Sequence, residues 1–139
     1  MFTAKVYRIM VGSLSGAMEE VYVAKETIRK WNLQNAERTG KVFMPIEWSS
    51  APEVIPNVDV VVGIINNWIE NTEPIEDGIV ARKQVLLFFN GVQDPTNTIS
   101  GEKDEVEAFR TRSQTQCSCL DYIGHTRLCE LLNNQLESF

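Results

Sequence analysis

Two continuous apolar runs constrain the fold of this 139-residue chain more than any other feature. They are VDVVVGII at 58–65 and QVLLFF at 84–89, and neither alternates apolar with polar residues as a half-exposed strand does. Runs of this kind are typical of strands in a parallel sheet, where helices cover both faces. The sequence therefore favours an α/β fold whose central strands are fully buried.

Three further runs, at 6–11, at 42–46 and a weaker one at 117–123, complete a set of five expected strands. Helical patterns lie between the runs: at 17–31, at 73–83 with Pro74 near its start, after Ser100, and at the end of the chain. Strand and helix alternate, which predicts one α/β domain over residues 1–139 with a mostly parallel sheet in the flavodoxin-like order 2-1-3-4-5. The last helix is expected to pack through one apolar stripe, formed by His125, Cys129, Leu132, Leu136 and Phe139.

The connection between the second and third strands is unusually short. Only EWSSAPEVIPN at 47–57 is available, and it contains Pro52 and Pro56. A parallel crossover normally takes a dozen or more residues and a helix, and proline interrupts helices. We therefore expect an extended or single-turn connection there.

Composition and charge narrow the choice of partners. The chain has 13 Lys and Arg against 19 Asp and Glu, a formal net charge of -6, and no basic run that would hold a polyanion. Binding to nucleic acid or to an anionic membrane is therefore not expected. No stretch has the pattern of a signal peptide or the length of a transmembrane helix, and three cysteines do not make a disulfide framework. A cytoplasmic domain is the expectation.

Ligands in open parallel sheets bind at the carboxyl ends of the strands, near the point where strand order reverses. The loop predicted there after the first strand is small and rich in hydroxyls, and its N–H groups and serines could hold a phosphate or carboxylate. The alternative is a serine that caps the helix beside a glycine that makes the turn. Two tryptophans nearby are candidates for base stacking, with a core or interface position as the alternative. The predicted ligand-binding residues are Gly12, Ser13, Ser15, Gly16, Trp48, Asn66, Asn67 and Trp68.

Two carboxylates, Glu73 and Glu76, open the helix that is predicted after the third strand, and we expect them to face the same crevice. A carboxylate there could act as a nucleophile or stabilise an oxocarbenium-like centre during cleavage of an N-glycosidic bond. Acids in the first turn of a helix also complement its dipole. The residues alone leave both interpretations open.

The cysteines and the single histidine form the pattern C-x-C-x5-H-x3-C at Cys117, Cys119, His125 and Cys129. Four such ligands would suit tetrahedral zinc. The spacing is not that of a common zinc finger, however, and the cysteines lie on a predicted strand and an apolar helix stripe, where free thiols pack as small apolar groups. We therefore expect core thiols and no metal site.

The most distinctive block is IRKWNLQNAERTGKVFMPIEWSSAPE at 28–53, which is followed by VDVVVGII and RKQVLLFF. Together with MVGSLSGAMEE at 10–20 and GEKDEVEAFR at 101–110, it resembles a TIR-like bacterial domain family of unknown function. That family often precedes STAND-type NTPases, occurs in anti-phage defence contexts and is related to nucleoside deoxyribosyltransferases. The resemblance implies a TIR-like Rossmannoid fold and a nucleotide-sensing or interaction module of a bacterial or phage conflict or signalling system.

The chain departs from that family in two places. Its crossover helix is replaced by EVIPN at 53–57, and the loop before the family's catalytic glutamate is shortened to NNWIENTEPIED at 66–77. If Thr72 matches the family's threonine, neither Glu73 nor Glu76 has the expected spacing. The resemblance thus implies a trimmed module without catalysis or cofactor, which binds a nucleotide or nucleoside, a protein partner, or copies of itself as a homo-oligomer.

Two alternatives remain open at this point. One is an enzyme that cleaves the N-glycosidic bond of NAD or of a nucleoside, with Glu73 or Glu76 as its carboxylate. The other is an FMN-binding electron carrier, because GSLSGAMEE at 12–20 and NGVQD at 90–94 are similar to flavodoxins, whose first loop holds the FMN phosphate. Met18 stands where that loop has a hydroxyl, so the flavodoxin interpretation ranks second to the TIR-like family.

Overall fold

The protein, described here by a computed structural model, is built on a five-stranded parallel sheet. The structure describes residues 2–48, 53–66, 68–91 and 100–139, without the side chains of 100–103. The strands are β1 (Lys5–Ser13), β2 (Lys41–Ile46), β3 (Val60–Ile65), β4 (Gln84–Asn90) and β5 (Ser118–Tyr122). They lie in the order β2-β1-β3-β4-β5, all parallel, as the sequence predicts. The prediction of an α/β, flavodoxin-like sheet is confirmed.

Four helices cover the sheet: α1 (Met18–Thr39), α2 (Glu73–Val80), α3 (Ser100–Ser113) and α4 (Gly124–Ser138). The helices α1 and α4 pack on one face, and α2 and α3 pack on the other. The predicted helix at 73–83 ends early, because the chain turns at Ala81 and Arg82 takes a left-handed φ of 58°. No helix in the described ranges is both long and apolar enough to cross a membrane.

The core is divided between the two faces of the sheet. All six residues of β3 are buried, as are Val85–Phe89 of β4, which accounts for their uninterrupted apolar sequence. Against the α1 and α4 face, Tyr7, Trp31, Phe43 and Phe139 form one aromatic cluster, with ring centroids 5.1–5.8 Å apart. This cluster joins the first strand to the end of α4.

The predicted stripe of α4 is partly wrong. Leu128, Leu132 and Leu136 are its buried residues, whereas the side chain of His125 is 43% exposed. Because Gly124 begins the helix, His125 lies in the first turn and points away from the core, so the buried stripe starts one residue beyond the first turn.

The β2-to-β3 crossover is as short as expected. Its described part contains a single 3-10 turn at Ile55–Asn57, and Ile55 and Val58 anchor that turn in the core beneath α2. No described helix covers β1 and β2 on this face, and Val6 and Met44 are exposed there. We call this surface, which Val6, Arg8 and Met44 form on the two strands, the bare face.

Candidate functional site

The loop after β1 lies at the carboxyl edge of the sheet, where its hydroxyls bind the protein's own backbone. Ser13 Oγ accepts hydrogen bonds from the N–H groups of Ser15 (3.0 Å) and Ala17 (2.8 Å) and donates one to the Ile64 carbonyl (3.0 Å). These hydrogen bonds tie the loop to β3 and to Ala17, the residue before α1, although no side chain caps that helix. A serine hydroxyl has one hydrogen to donate, and this one is already bound to a carbonyl.

The hydroxyl of Ser15, two residues later, also both donates to and accepts from the backbone. Its buried hydroxyl donates to the Trp68 carbonyl and accepts a hydrogen bond from the Asn66 N–H at 3.0 Å. The Leu14 carbonyl also accepts a hydrogen bond from the Glu70 N–H at 2.6 Å. The loops after β1 and β3 are therefore bound to each other by direct hydrogen bonds.

The two tryptophans cover the two glycines of the first loop. A Cβ at Gly12 would lie 2.1 Å from Trp48 Cδ2, so the indole packs directly on the backbone of β1. Gly16 has a left-handed φ of 68°, and a Cβ there would lie 3.7 Å from Trp68 Cζ2. Trp48 is half-buried against the core beneath α2, while Trp68 remains 36% exposed. Only the second indole therefore offers a ring to a ligand.

Two asparagines complete this edge of the sheet. Asn90 Nδ2, at the end of β4, donates a hydrogen bond to Asn66 Oδ1, at the end of β3, at 3.1 Å. The structure thus brings seven of the eight predicted ligand-binding residues to one edge; the eighth, Asn67, lies outside the described residues. We call the surface formed by Gly16, Asn66, Trp68 and Asn90 the rim.

The contacts of the two predicted carboxylates lie at the start of α2 and on α3. Glu73 is exposed in the first turn of α2, where its N–H binds Asn71 Oδ1 at 3.0 Å. Glu76 lies against α3 and approaches Arg112 Nη2 at 3.7 Å, beside Phe109. Arg112 belongs to the last turn of α3, so this contact directs Glu76 away from the carboxyl edge. Asn71 was not among the predicted residues, although asparagine commonly binds the backbone N–H two residues on in a turn.

The cysteines are divided between the two faces of the sheet. Cys117 and Cys119 pack against the core beneath α2 and α3, whereas Cys129 lies 3.1 Å from Thr27 Oγ1 between α1 and α4. His125 faces Glu19 instead, at 3.9 Å. Within the described part of the chain, no three acidic, histidine or cysteine side chains come together as metal ligands would. Burial raises the pKa of the Cys117 thiol to about 11, and the neighbouring Cys119 contributes a smaller part of this shift. The thiol therefore stays protonated at neutral pH.

No family model matches the chain, and no curated protein sequence matches it significantly. A solved structure with a similar fold is that of translation elongation factor SelB from Methanococcus maripaludis in complex with the GTP analogue GPPNHP. The TM-score is 0.53 at 11% sequence identity, and the match covers 99% of this chain but 34% of SelB. This chain therefore spans about a third of that protein's length. At this identity the likeness concerns the fold alone.

Proposed function

We propose that this protein is a TIR-like nucleotide-sensing or interaction module of a bacterial or phage conflict or signalling system, and that it works without catalysis. The observation that carries the proposal is how the two loops that form the rim are joined. Its loops bind each other through Ser13 and Ser15, and the indole of Trp68 is left half-exposed beside Gly16. A rigid surface with one available aromatic ring suits recognition of a flat ligand.

The absence of catalysis is supported by the positions of the two carboxylates. Glycosidic cleavage needs a carboxylate beside the bound sugar. Glu76 is paired with Arg112 against α3, and Glu73 is exposed in the first turn of α2, where its backbone N–H binds Asn71. Neither side chain is part of the rim as we define it.

The flavin alternative has less support. In the first loop, a flavin phosphate would need donors that are free to reach it, and the hydroxyls of Ser13 and Ser15 both donate to carbonyls within the protein. We therefore rank a nucleotide or nucleoside above FMN as the rim ligand.

The test uses NAD, ATP, GTP and adenosine as probes, with GTP included because SelB was solved with a GTP analogue. We expect at least one probe to raise the thermal midpoint and to quench tryptophan fluorescence. Trp68→Ala should lose both effects. Phe2→Ala, which removes an exposed ring before β1, should keep both. If no probe shifts the midpoint, or if Trp68→Ala binds as the unmodified protein does, the rim is not the ligand site.

The same incubations separate the alternatives. Release of free nicotinamide or free base that is lost in Glu73→Gln or Glu76→Gln would establish the N-glycosidase instead. A yellow protein, or one that takes up FMN with an altered absorption spectrum, would establish the flavin-binding alternative.

A further inference from the structure

The bare face is a groove in a position where parallel α/β sheets normally carry a helix. Arg8 and Met44 lie side by side in the β1–β2 register, with Val6 and Val42 forming the next row. Val6 is 51% exposed and Met44 41% exposed, although both lie within strands. The groove has a volume of about 560 Å³ and is lined by Val6, Arg8, Met44, Pro56, Asn57 and Asp59. Half of these residues are apolar and half are polar or charged, a mixture that protein–protein interfaces also have.

The free edge of β2 is a poorer place for a partner than the bare face beside it. The strand β2 is at the end of the sheet, and Pro45 lies within it. Proline has no N–H to donate, and prolines of this kind protect edge strands from pairing with another chain. A partner is therefore expected to pack onto the bare face.

The outer surface of α1 carries exposed apolar side chains of its own. Met18, Tyr22 and Leu33 are 71%, 66% and 75% exposed, and they fall on one stripe of the helix with Glu26 and Arg29 between them. We call these five residues the α1 ridge. The ridge points away from the sheet, because the buried side of the helix is formed by other residues, including Ala24, Ile28 and Trp31.

The charges of the two surfaces are also complementary. On the ridge, Arg29 and Glu26 form an ion pair at 3.0 Å. In the groove, Asp59 adjoins Arg8, whose backbone N–H binds Asp59 Oδ2 at 2.8 Å, and neither side chain has an ion-pair partner among the described residues. Each surface thus carries one acid next to one base, and in one orientation Arg8 faces Glu26 while Asp59 faces Arg29. Such paired charges fix the register of a contact.

We propose that the bare face binds the α1 ridge of a second copy of this chain, which takes the place of the crossover helix. The ridge and the bare face lie on opposite sides of the same two strands, so the contact is head-to-tail. A head-to-tail contact of this kind leaves one ridge and one bare face free at the ends of each assembly, and further copies can add. The proposal rests on the interaction role proposed above but not on a rim ligand, so light scattering tests it separately from the Trp68 experiment.

The experiment places one charge on each surface. Leu33→Lys blocks the ridge and Met44→Lys blocks the bare face, and both residues are exposed enough for the fold to tolerate lysine. By light scattering up to ~1 mM, where even a weak interface is populated, the unmodified chain should grow beyond the mass of a dimer. Each variant alone should remain at the 15.8 kDa of one chain. An equimolar mixture should form a dimer and stop there, because one good ridge meets one good bare face.

The control is Ile123→Lys, which changes an equally exposed apolar residue after β5, at the far edge of the sheet. It should assemble as the unmodified chain does, and circular dichroism should show all variants folded. A chain that stays monomeric throughout the concentration range, a dimer that never grows, or a mixture that fails to associate would each overturn the proposal.

Discussion

Trp48 packs so closely on Gly12 that three ring atoms of its indole lie within 2.4 Å of where a Cβ would be. Gly12 is paired with Gly63 in the β1–β3 register, and a Cβ at Gly63 would in turn lie 2.8 Å from Leu14 Cδ1. The two glycines form a flat row on the adjacent strands β1 and β3, with Trp48 on one and Leu14 on the other. Because neither glycine has a side chain, Trp48 beyond the end of β2 and Leu14 in the loop after β1 can pack directly on the backbone of the sheet.

We predict that Gly12→Ala destabilises the fold, because the added methyl overlaps the Trp48 ring and forces it to move. The expected loss is about 1–3 kcal/mol of the free energy of unfolding, measured by urea denaturation. In a Trp48→Ala background the same substitution should cost far less, because the overlapping ring is gone. Equal losses in both backgrounds would show that the two residues are not coupled.

Ser15→Ala should destabilise the link between the two loops. It removes the acceptor of the Asn66 N–H and the donor to the Trp68 carbonyl at a buried position, which we expect to cost about 1–3 kcal/mol. Tryptophan emission should also shift to longer wavelength, because Trp68 loses a contact that holds its backbone. The control is Ser138→Ala, an exposed serine bonded to the Gln135 carbonyl, which should change stability by less than about 0.5 kcal/mol.

The Arg110–Asp121 pair predicts a dependence of stability on pH. Arg110 binds both carboxylate oxygens of Asp121, at 2.5 and 2.7 Å, and these hydrogen bonds lower the pKa of Asp121 below its ordinary 3.8. A lowered carboxyl pKa stabilises the fold above 3.8 and loses that contribution as the pH falls through the folded-state value. Because Asp121 is 62% exposed, solvent screening limits the effect to about 0.5 kcal/mol.

The measurement compares urea unfolding of the unmodified chain and Asp121→Asn at neutral pH and in acid. The difference should be present at neutral pH and disappear in acid. Glu130→Gln, which removes the exposed pair with Arg127 three residues earlier on α4, should have a smaller effect at neutral pH. A difference between the first two proteins that persisted in strong acid would contradict the assignment.

Cys117 should be slow to alkylate, because its raised pKa of about 11 leaves very little thiolate at neutral pH. Its reaction rate with iodoacetamide should rise about 100-fold between about pH 8 and about pH 10, in proportion to the thiolate. A cysteine in a short unstructured peptide, whose pKa is about 8.5, should rise only about fourfold over the same interval. Peptide-level mass spectrometry reads Cys117 separately from the other cysteines, and a profile parallel to the reference would count against burial.

The sequence predicts the sheet well because its signals are local. Continuous runs such as 58–65 identify buried strands, and the intervals between runs determine the alternation from which the strand order follows. The hydroxyl-rich loop after β1 could be recognised for the same reason, whereas the carbonyl that each serine binds could not. The contact between Glu76 and Arg112 could not be recognised, because it depends on how α2 packs against α3. The exposure of His125 was missed because a periodic pattern does not show where a helix begins.

The bare face could be predicted from the sequence only in part. A crossover too short for a helix is visible in the sequence, but the exposure of Val6 and Met44 follows only from the register of β1 with β2. The position of Trp48 on Gly12 likewise depends on where β2 ends beside β1. Side-chain pairs that bridge two strands are properties of the assembled sheet.

The aromatic cluster of Tyr7, Trp31, Phe43 and Phe139 has a consequence for synthesis on the ribosome. Phe139 packs against rings from β1 and β2, so this part of the core cannot close until residue 139 has left the exit tunnel. Until then Tyr7 of β1 and Phe43 of β2 lack one of the rings that cover them, even after α1 has been synthesised. Apolar rings left without their partners during this interval make the nascent chain prone to aggregate.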